Sequence, residues 1–544
     1  MATGAPTRPA ATTAAAITVR DATFEVMRRH GMTRIFGNPG STEVAFLTDL
    51  PGDIEFVLGL HEGTVVGMAC GYAIARGEPA FVNLHTAPGL GNAINAIANA
   101  RDCRAPLVVV VGQQDRRQLA FEPFLTGRAL ERMAGEYPVW SNLPARPQDV
   151  PGAIARAYHE ARAAGGPALV VVPMGDWEEP ADELAAGSPE QLIGAATVDP
   201  GELDALAELI GEASAPALVV GAGGDSAAGF EALVALAERL RCPVWLEPFC
   251  SRAGFPQDHP LFAGHLHWRR RLMRETLAAH DLVIATGTNA FRLYLLHDAG
   301  PPVNPGTRVA VLTADPAEAH RSPCELAVVA PLAPACRALA ERLAQREVTP
   351  PRPMARPPAP APPGPGEPLR AGHVLAALAQ RLPRDAVLVE ETPSSRPEML
   401  ERIAFREPLA FVGNANGGLG FGLSGPIGLR MALPDRPVVA VVGDGSSMYA
   451  IQALWSAARY EVGVLLIVMA NGGYAVMDAQ ARDRGGQAAW PRFPGIDIAG
   501  IARSLGCPAT RVETHEQLLG ALDEVLPGLA AREQPLLIEI ALAE

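Results

Sequence analysis

The chain reads as an α/β protein of three doubly wound domains, and three observations predict this. Short apolar runs alternate with amphipathic helical stretches in three successive blocks. Residues 350–368 are roughly half proline, which cannot enter a helix or sheet interior and so forms an extended linker before the third block. Residues 437–474 form a complete βαβ unit, and 544 residues are too many for one core.

The first block has strands at 34–36, 56–58, 80–84, 107–111 and 169–172, with helices at 24–29, 62–76 and 92–100. Polar residues cluster just after the strands, at Asn38-Pro39-Gly40-Ser41, His85-Thr86 and Gln113-Gln114. Those are the carboxyl ends, where open α/β sheets bind ligands. The second block has strands near 217–220, 244–246, 282–285 and 309–312. Its Gly221-Ala222-Gly223-Gly224 turn faintly resembles a dinucleotide loop, but no acidic ribose partner follows, so it reads as a structural turn. The expected limits are a disordered tail at 1–16, domains at 17–190, 195–346 and 369–544, and a linker at 347–368.

The βαβ unit carries the chemistry. An apolar run at 438–442 reads as a strand buried on both faces and leads into Gly443-Asp444-Gly445-Ser446. Met448, Ile451, Leu454, Trp455 and Ala458 then recur at helical spacing, with Ser446 or Ser447 able to cap the helix. A second run at 464–469 ends at Asn471-Gly472-Gly473. Parallel neighbouring strands about 4.8 Å apart would let Asp444 and Asn471 reach one small ion. One carboxylate, one amide and one carbonyl suit Mg²⁺, and the intervening helix N-terminus suits phosphate.

A net charge of −14 argues against general nucleic-acid binding. No apolar run approaches a membrane span, and the N-terminal residues lack the core of a signal peptide. Seven scattered cysteines, without CxxC or metal spacing, fit reduced thiols and a cytoplasmic location.

GDG followed 27 positions later by asparagine resembles the signature of the thiamine-diphosphate (ThDP) enzymes, although Ala470 replaces the first residue of their usual Asn-Asn pair. Phe36-Gly37-Asn38-Pro39-Gly40-Ser41, Asn83-Leu84-His85, Gly112-Gln113-Gln114 and Gly417-Gly418-Leu419-Gly420-Phe421 extend the likeness. Over nearly its whole length the chain resembles the ThDP-dependent 2-oxo acid decarboxylases, and most of all the benzoylformate decarboxylases. The resemblance implies domains that bind the pyrimidine, occupy the centre and bind the diphosphate, and a lyase that turns an aryl 2-oxo acid into an aldehyde and CO₂.

It further implies that Glu62 exchanges a proton with the cofactor's aminopyrimidine, that Gly417 offers it a carbonyl, and that Leu419 supports its bent shape. Gly443, Asp444, Gly445, Ser446, Asn471 and Tyr474 would hold the diphosphate end, with Asp444, Asn471 and the Gly473 carbonyl on Mg²⁺. Ser41 would bind the substrate carboxylate and His85 would shuttle protons, beside pocket walls at Phe124, Leu125, Met477 and Gln480. The family's second histidine is displaced here, so His297 reaches in, Tyr294 substitutes, or the role is absent. Asp478 or Gln480 pointing inward would suit a hydroxylated substrate. FAD is not expected. Sites would lie between subunits of a homodimer, two of which form a homotetramer. A carboligase resembling acetolactate synthase is the rival reading, and a non-catalytic paralogue a more distant one.

Overall fold

The computed structural model describes residues 17–182, 188–189, 191–193, 197–296 and 299–543. The expected tail at 1–16, part of the first domain boundary, and His297 lie outside the described residues.

Three six-stranded parallel sheets form the molecule. The first contains β1 (Arg34–Gly37), β2 (Glu55–Leu58), β3 (Ala80–Leu84), β4 (Leu107–Gln113), β5 (Trp140–Asn142) and β6 (Pro167–Pro173). The second contains β7 (Pro216–Val220), β8 (Val244–Leu246), β9 (Phe262–His265), β10 (Leu282–Thr286), β11 (Arg308–Thr313) and β12 (Leu326–Val329). The third contains β13 (Val387–Glu391), β14 (Phe411–Gly413), β15 (Val438–Gly443), β16 (Leu465–Ala470), β17 (Ala509–Val512) and β18 (Leu536–Ala541).

The first sheet runs β2-β1-β3-β4-β6-β5 and the third β14-β13-β15-β16-β18-β17, the same order counted within each block. The second runs β12-β11-β10-β7-β8-β9, the order of a dinucleotide-binding sheet. The Gly221-Ala222-Gly223-Gly224 turn is nevertheless filled by its own protein. A Cβ on Gly223 would lie 2.8 Å from the Gly287 backbone, and one on Gly221 would lie 2.5 Å from Thr288. These glycines serve close packing of two strand ends.

The first and third sheets share one hydrophobic cluster, which includes Val65, Met68, Phe421, Ile427, Val438 and Val442. Two helices join them, Glu62–Arg76 and Phe421–Ala432. Added Cβ atoms on Gly67, Gly71 and Gly428 would fall 2.0 Å or less from Ser424 Oγ, the Gly425 carbonyl and the Met68 carbonyl. The helices therefore touch backbone to backbone, which rigidly couples the loops at their N-terminal ends.

Residues 350–364 carry no regular structure, as the prolines require. The segment is strapped down, with the Met354 amide donating to the Phe262 carbonyl and Arg402 donating to the Pro358 carbonyl, both at 2.9 Å. Among the described residues, no helix is long and apolar enough to cross a membrane.

The βαβ unit departs from expectation in one respect. The stretch after Gly443 is not one regular helix but two short ones, Asp444–Ser447 and Ala453–Arg459. Tighter i to i−3 bonds, such as Tyr449 to Ser446 and Ala453 to Ala450, carry the chain between them. Gly443 occupies the N-cap, and Ser447 instead donates back to the Asp444 carbonyl at 2.7 Å. Neither serine caps, and a single turn supplies little dipole.

Candidate active site

The carboxyl end of the first sheet gathers titratable and amide side chains. Glu62 opens its helix directly after the N-cap His61 and is only 8% exposed. Asn38 donates to one of its carboxyl oxygens at 3.1 Å and Asn92 to the other at 2.9 Å. A Cβ on Gly89 would sit 3.5 Å from both Glu62 Cγ and His85 Cβ, so the two candidate residues share one corner.

His85 follows β3 and is fixed from below. Its Nδ1 lies 3.0 Å from Glu43 Oε2 and 3.0 Å from Thr42 Oγ. Glu43 is itself buried, accepting from the Gly40 amide at 2.8 Å and from the Thr42 hydroxyl. Burial pushes the Glu43 carboxyl up, while the hydroxyl, the amide and His85 oppose that shift. The imidazole lies flat on Gly40, where an added Cβ would fall 2.3 Å from the ring. With Nδ1 occupied, Nε2 is the nitrogen left for chemistry. Thr86, the next residue, holds φ at +33°, and its buried hydroxyl has no partner among the described residues. Strain of this kind clusters at functional sites. Ser41 begins the turn Ser41–Glu43 and is exposed.

The third sheet presents a different set. β15 and β16 are parallel neighbours with Gly443 opposite Met469, so Asp444 and Asn471 leave adjacent strands at nearly one level. Asp444 is 6% exposed and accepts from the Gly445 amide at 2.7 Å and the Gly472 amide at 2.6 Å. Burial pushes its carboxyl up against these bonds. Asn471 Oδ1 accepts from the Gly473 amide at 3.2 Å. Tyr474 packs over Gly445 and edge-on to Phe493, with ring centres 5.1 Å apart.

Across the site, Gly417 adopts φ +84° with open space where a side chain would be. The Leu419 carbonyl accepts from Asn95 at 3.1 Å, which ties this loop to the helix Thr86–Asp102 of the first domain.

The residues present fit a cofactor with a diphosphate at one end and an aminopyrimidine at the other. Asp444, Asn471 and the Gly473 carbonyl offer hard oxygen donors. Among the described residues, no group of three His, Cys, Asp or Glu is placed to hold a metal ion. Glu62 offers a buried carboxyl at the carboxyl end of the first sheet.

Other candidates stand apart in the single chain. Phe124 is 87% exposed, and Leu125 beside it has φ +65°. Met477 and Gln480 lie on the helix Ala475–Asp483, none of whose residues is buried. Asp478 accepts from Trp490 Nε1 at 2.9 Å, so its carboxylate is engaged at the surface. Tyr294 stands between Phe249 and Trp268, 5.8 and 5.5 Å away, while Arg292 donates to the Ala415 carbonyl near Gly417. Sequence reasoning missed Glu43 and Asn92, and placed Asn38 in a strand-end cluster without giving it a partner in Glu62. Asn92 lies seven residues after His85, two helical turns on, and that spacing was the available signal.

Comparison with known proteins agrees with this geometry. Residues 17–132 match the thiamine pyrophosphate enzyme N-terminal TPP binding domain, 203–339 its central domain, and 396–540 its C-terminal TPP binding domain. The chain is 40% identical over 533 residues to a benzoylformate decarboxylase of Pseudomonas aeruginosa, covering 96% of this chain and 98% of the relative. The Rhodococcus jostii RHA1 thiamine diphosphate-dependent 4-hydroxybenzoylformate decarboxylase superposes with a TM-score of 0.91 at 35% identity, covering 97% and 99% of the two chains. The benzoylformate decarboxylase of Polynucleobacter necessarius gives 0.90 at 32% identity, covering 97% and 98%. The chain belongs to the thiamine pyrophosphate enzymes, within the benzoylformate decarboxylase family of ThDP-dependent carboxy-lyases.

Proposed function

We propose that this site takes an aryl-substituted 2-oxo acid, benzoylformate or a ring-hydroxylated form, and converts it to the aryl aldehyde. The bond between carboxylate and keto carbon breaks, CO₂ leaves, and one proton is added to the former keto carbon. When bound, ThDP supplies a carbon nucleophile and an electron sink for this cleavage. Glu62 gives and takes a proton at a carboxyl oxygen that the Asn38 and Asn92 amides hold in place. His85 moves protons at Nε2, because Glu43 and Thr42 occupy Nδ1. Ser41 binds the substrate carboxylate through its hydroxyl.

Asp444, Asn471 and the Gly473 carbonyl would hold Mg²⁺, and Gly443, Gly445, Ser446 and Tyr474 would enclose the diphosphate. Gly417 and Leu419 face the middle of the cofactor. Phe124, Leu125, Met477 and Gln480 wall the substrate pocket, while the role of a second proton carrier falls to Tyr294 or His297. Two copies complete each site, the first domain of one meeting the third of the other, and two such pairs form a tetramer. Phe121 and Phe124, 83% and 87% exposed in the single chain, support a covering partner. The free cysteines among the described residues support a cytoplasmic protein. The domain limits proposed are 17–190, 195–346 and 369–544, with the linker at 347–368.

The observation that carries this reading is His85, seated on Gly40 and held by Glu43 at the corner shared with Glu62. CO₂ release from benzoylformate, hydroxylated phenylglyoxylates, phenylpyruvate and pyruvate, with ThDP and Mg²⁺, tests it. Release from the aryl glyoxylates with matching aldehyde is expected. Release from pyruvate alone would refute the aryl assignment.

A further inference from the structure

Glu391 closes β13, at the place where the strand order of the third sheet reverses. It is 3% exposed, and among the described residues no basic side chain is bonded to it. Its neighbour Glu390 takes the nearby cation, Arg396. Three N–H donors converge on the Glu391 carboxyl instead. They are the Gly420 amide at 2.8 Å, the Gly422 amide at 2.9 Å and the Asn414 side chain at 3.3 Å. Burial pushes the carboxyl up to about 7, and those donors pull against it.

The donors come from the loop that precedes the helix Phe421–Ala432 and from the first turn of that helix. Gly420 holds φ at +115°, and a Cβ on Gly422 would lie 2.6 Å from Glu391 Cβ, so both glycines let the backbone close onto the carboxyl. Asn414 passes the constraint onward. It accepts from the Asn416 and Gly417 amides at 3.1 and 2.9 Å and donates to the Gly418 carbonyl. The stretch from Gly417 to Gly420 is thus spanned by one carboxylate and one amide, with Asn95 bonded to it from the opposite side.

A carboxylate buried without a cation is costly, but a neutral amide has only one acceptor oxygen and could not serve the Gly420 and Gly422 amides, which bond to different oxygens of Glu391. We propose that Glu391 is a positioning residue for the cofactor, fixing the Gly417 carbonyl and the Leu419 side chain in place before ThDP arrives. This rests on the reading above that Gly417 and Leu419 face ThDP. Pre-formed loops bind more tightly because less ordering is left to the binding step.

The test uses the full-length apoprotein with Glu391→Gln and Glu391→Asp, the first of which turns an NH₂ group toward a backbone N–H. Amide hydrogen exchange across 414–422 is measured without cofactor, and ThDP affinity by calorimetry with Mg²⁺. In Glu391→Gln, exchange at Gly420 and Gly422 should rise about tenfold and ThDP affinity fall about tenfold or more, with exchange in β15 and β16 unchanged. Glu391→Asp, which keeps the acceptors, should recover much of both. Unchanged exchange and affinity would overturn the proposal. So would a rise in exchange across the whole sheet, or failure of both variants to fold, since each would mark Glu391 as a general stability residue. The exchange measurement needs no substrate, so it stands apart from any failure of the aryl 2-oxo acid assignment.

Discussion

At the end of the third strand of the first block stands His85, and at the end of the third strand of the last block stands Asp444. The two sheets share a strand order, so these residues occupy equivalent places. So do Gln114 after β4 and Asn471 after β16, and so do the helices Glu62–Arg76 and Phe421–Ala432, which pack on each other. On the proposed reading, one scaffold presents the groups that move protons, and its counterpart presents the oxygen donors for a cation and the amides for phosphate. The central sheet, with an order suited to a dinucleotide, has its glycine turn filled by Gly287 and Thr288. Chemistry in this chain is decided by a few residues at strand ends rather than by topology.

The contrast can be broken most severely at Glu62. Glu62→Gln should lower turnover by about 10⁴-fold while ThDP still binds, because the phosphate-holding half is untouched. Retained turnover would remove Glu62 from the chemistry.

A second probe sharpens the contrast through pH. Glu391 titrates near 7 in the folded protein, above its ordinary 4.5, so the folded state holds the proton more tightly than the unfolded one. Stability should therefore fall by about 3 kcal/mol as pH rises from about 4.5 to 7, a decline that Glu391→Gln lacks. Chemical unfolding of both apoproteins across that range would check it.

Glu43→Gln should cost about tenfold to a hundredfold in turnover with ThDP affinity unchanged, since it acts only by orienting His85. Steady-state kinetics over ThDP concentration separates the two. The smallest effect on turnover belongs to the filled central turn. Gly223→Ala should cost about 1–3 kcal/mol of stability, because its Cβ would fall 2.8 Å from the Gly287 backbone, and should leave kcat alone.

Much of this was legible in the sequence because the central strands are buried on both faces. β3 runs from Ala80 to Leu84 and β8 from Val244 to Leu246, as their apolar runs indicate. β5, β12 and β17 escaped notice as edge strands with partly exposed residues, and β14 is three residues hidden before a glycine-rich stretch. Motif residues such as Glu62 and Asp444 declared themselves by their neighbours. Glu43 did not, because its partner His85 lies 42 positions away and only the adjacency of β1 and β3 brings them together. Glu391 was hidden for the same reason, as a second carboxylate in Glu390-Glu391 whose donors come from 23 to 31 residues downstream.

The account requires the two kinds of strand end to act together in one site built from two chains. The most direct measurement mixes inactive Glu62→Gln and Asp444→Asn chains, co-refolded or co-expressed, and assays CO₂ release from benzoylformate. A shared site predicts recovery of about a quarter of wild-type activity, because mixed pairs carry one site with both residues intact. No recovery, in mixtures shown to contain mixed pairs, would place both residues of a site in the same chain and contradict the account.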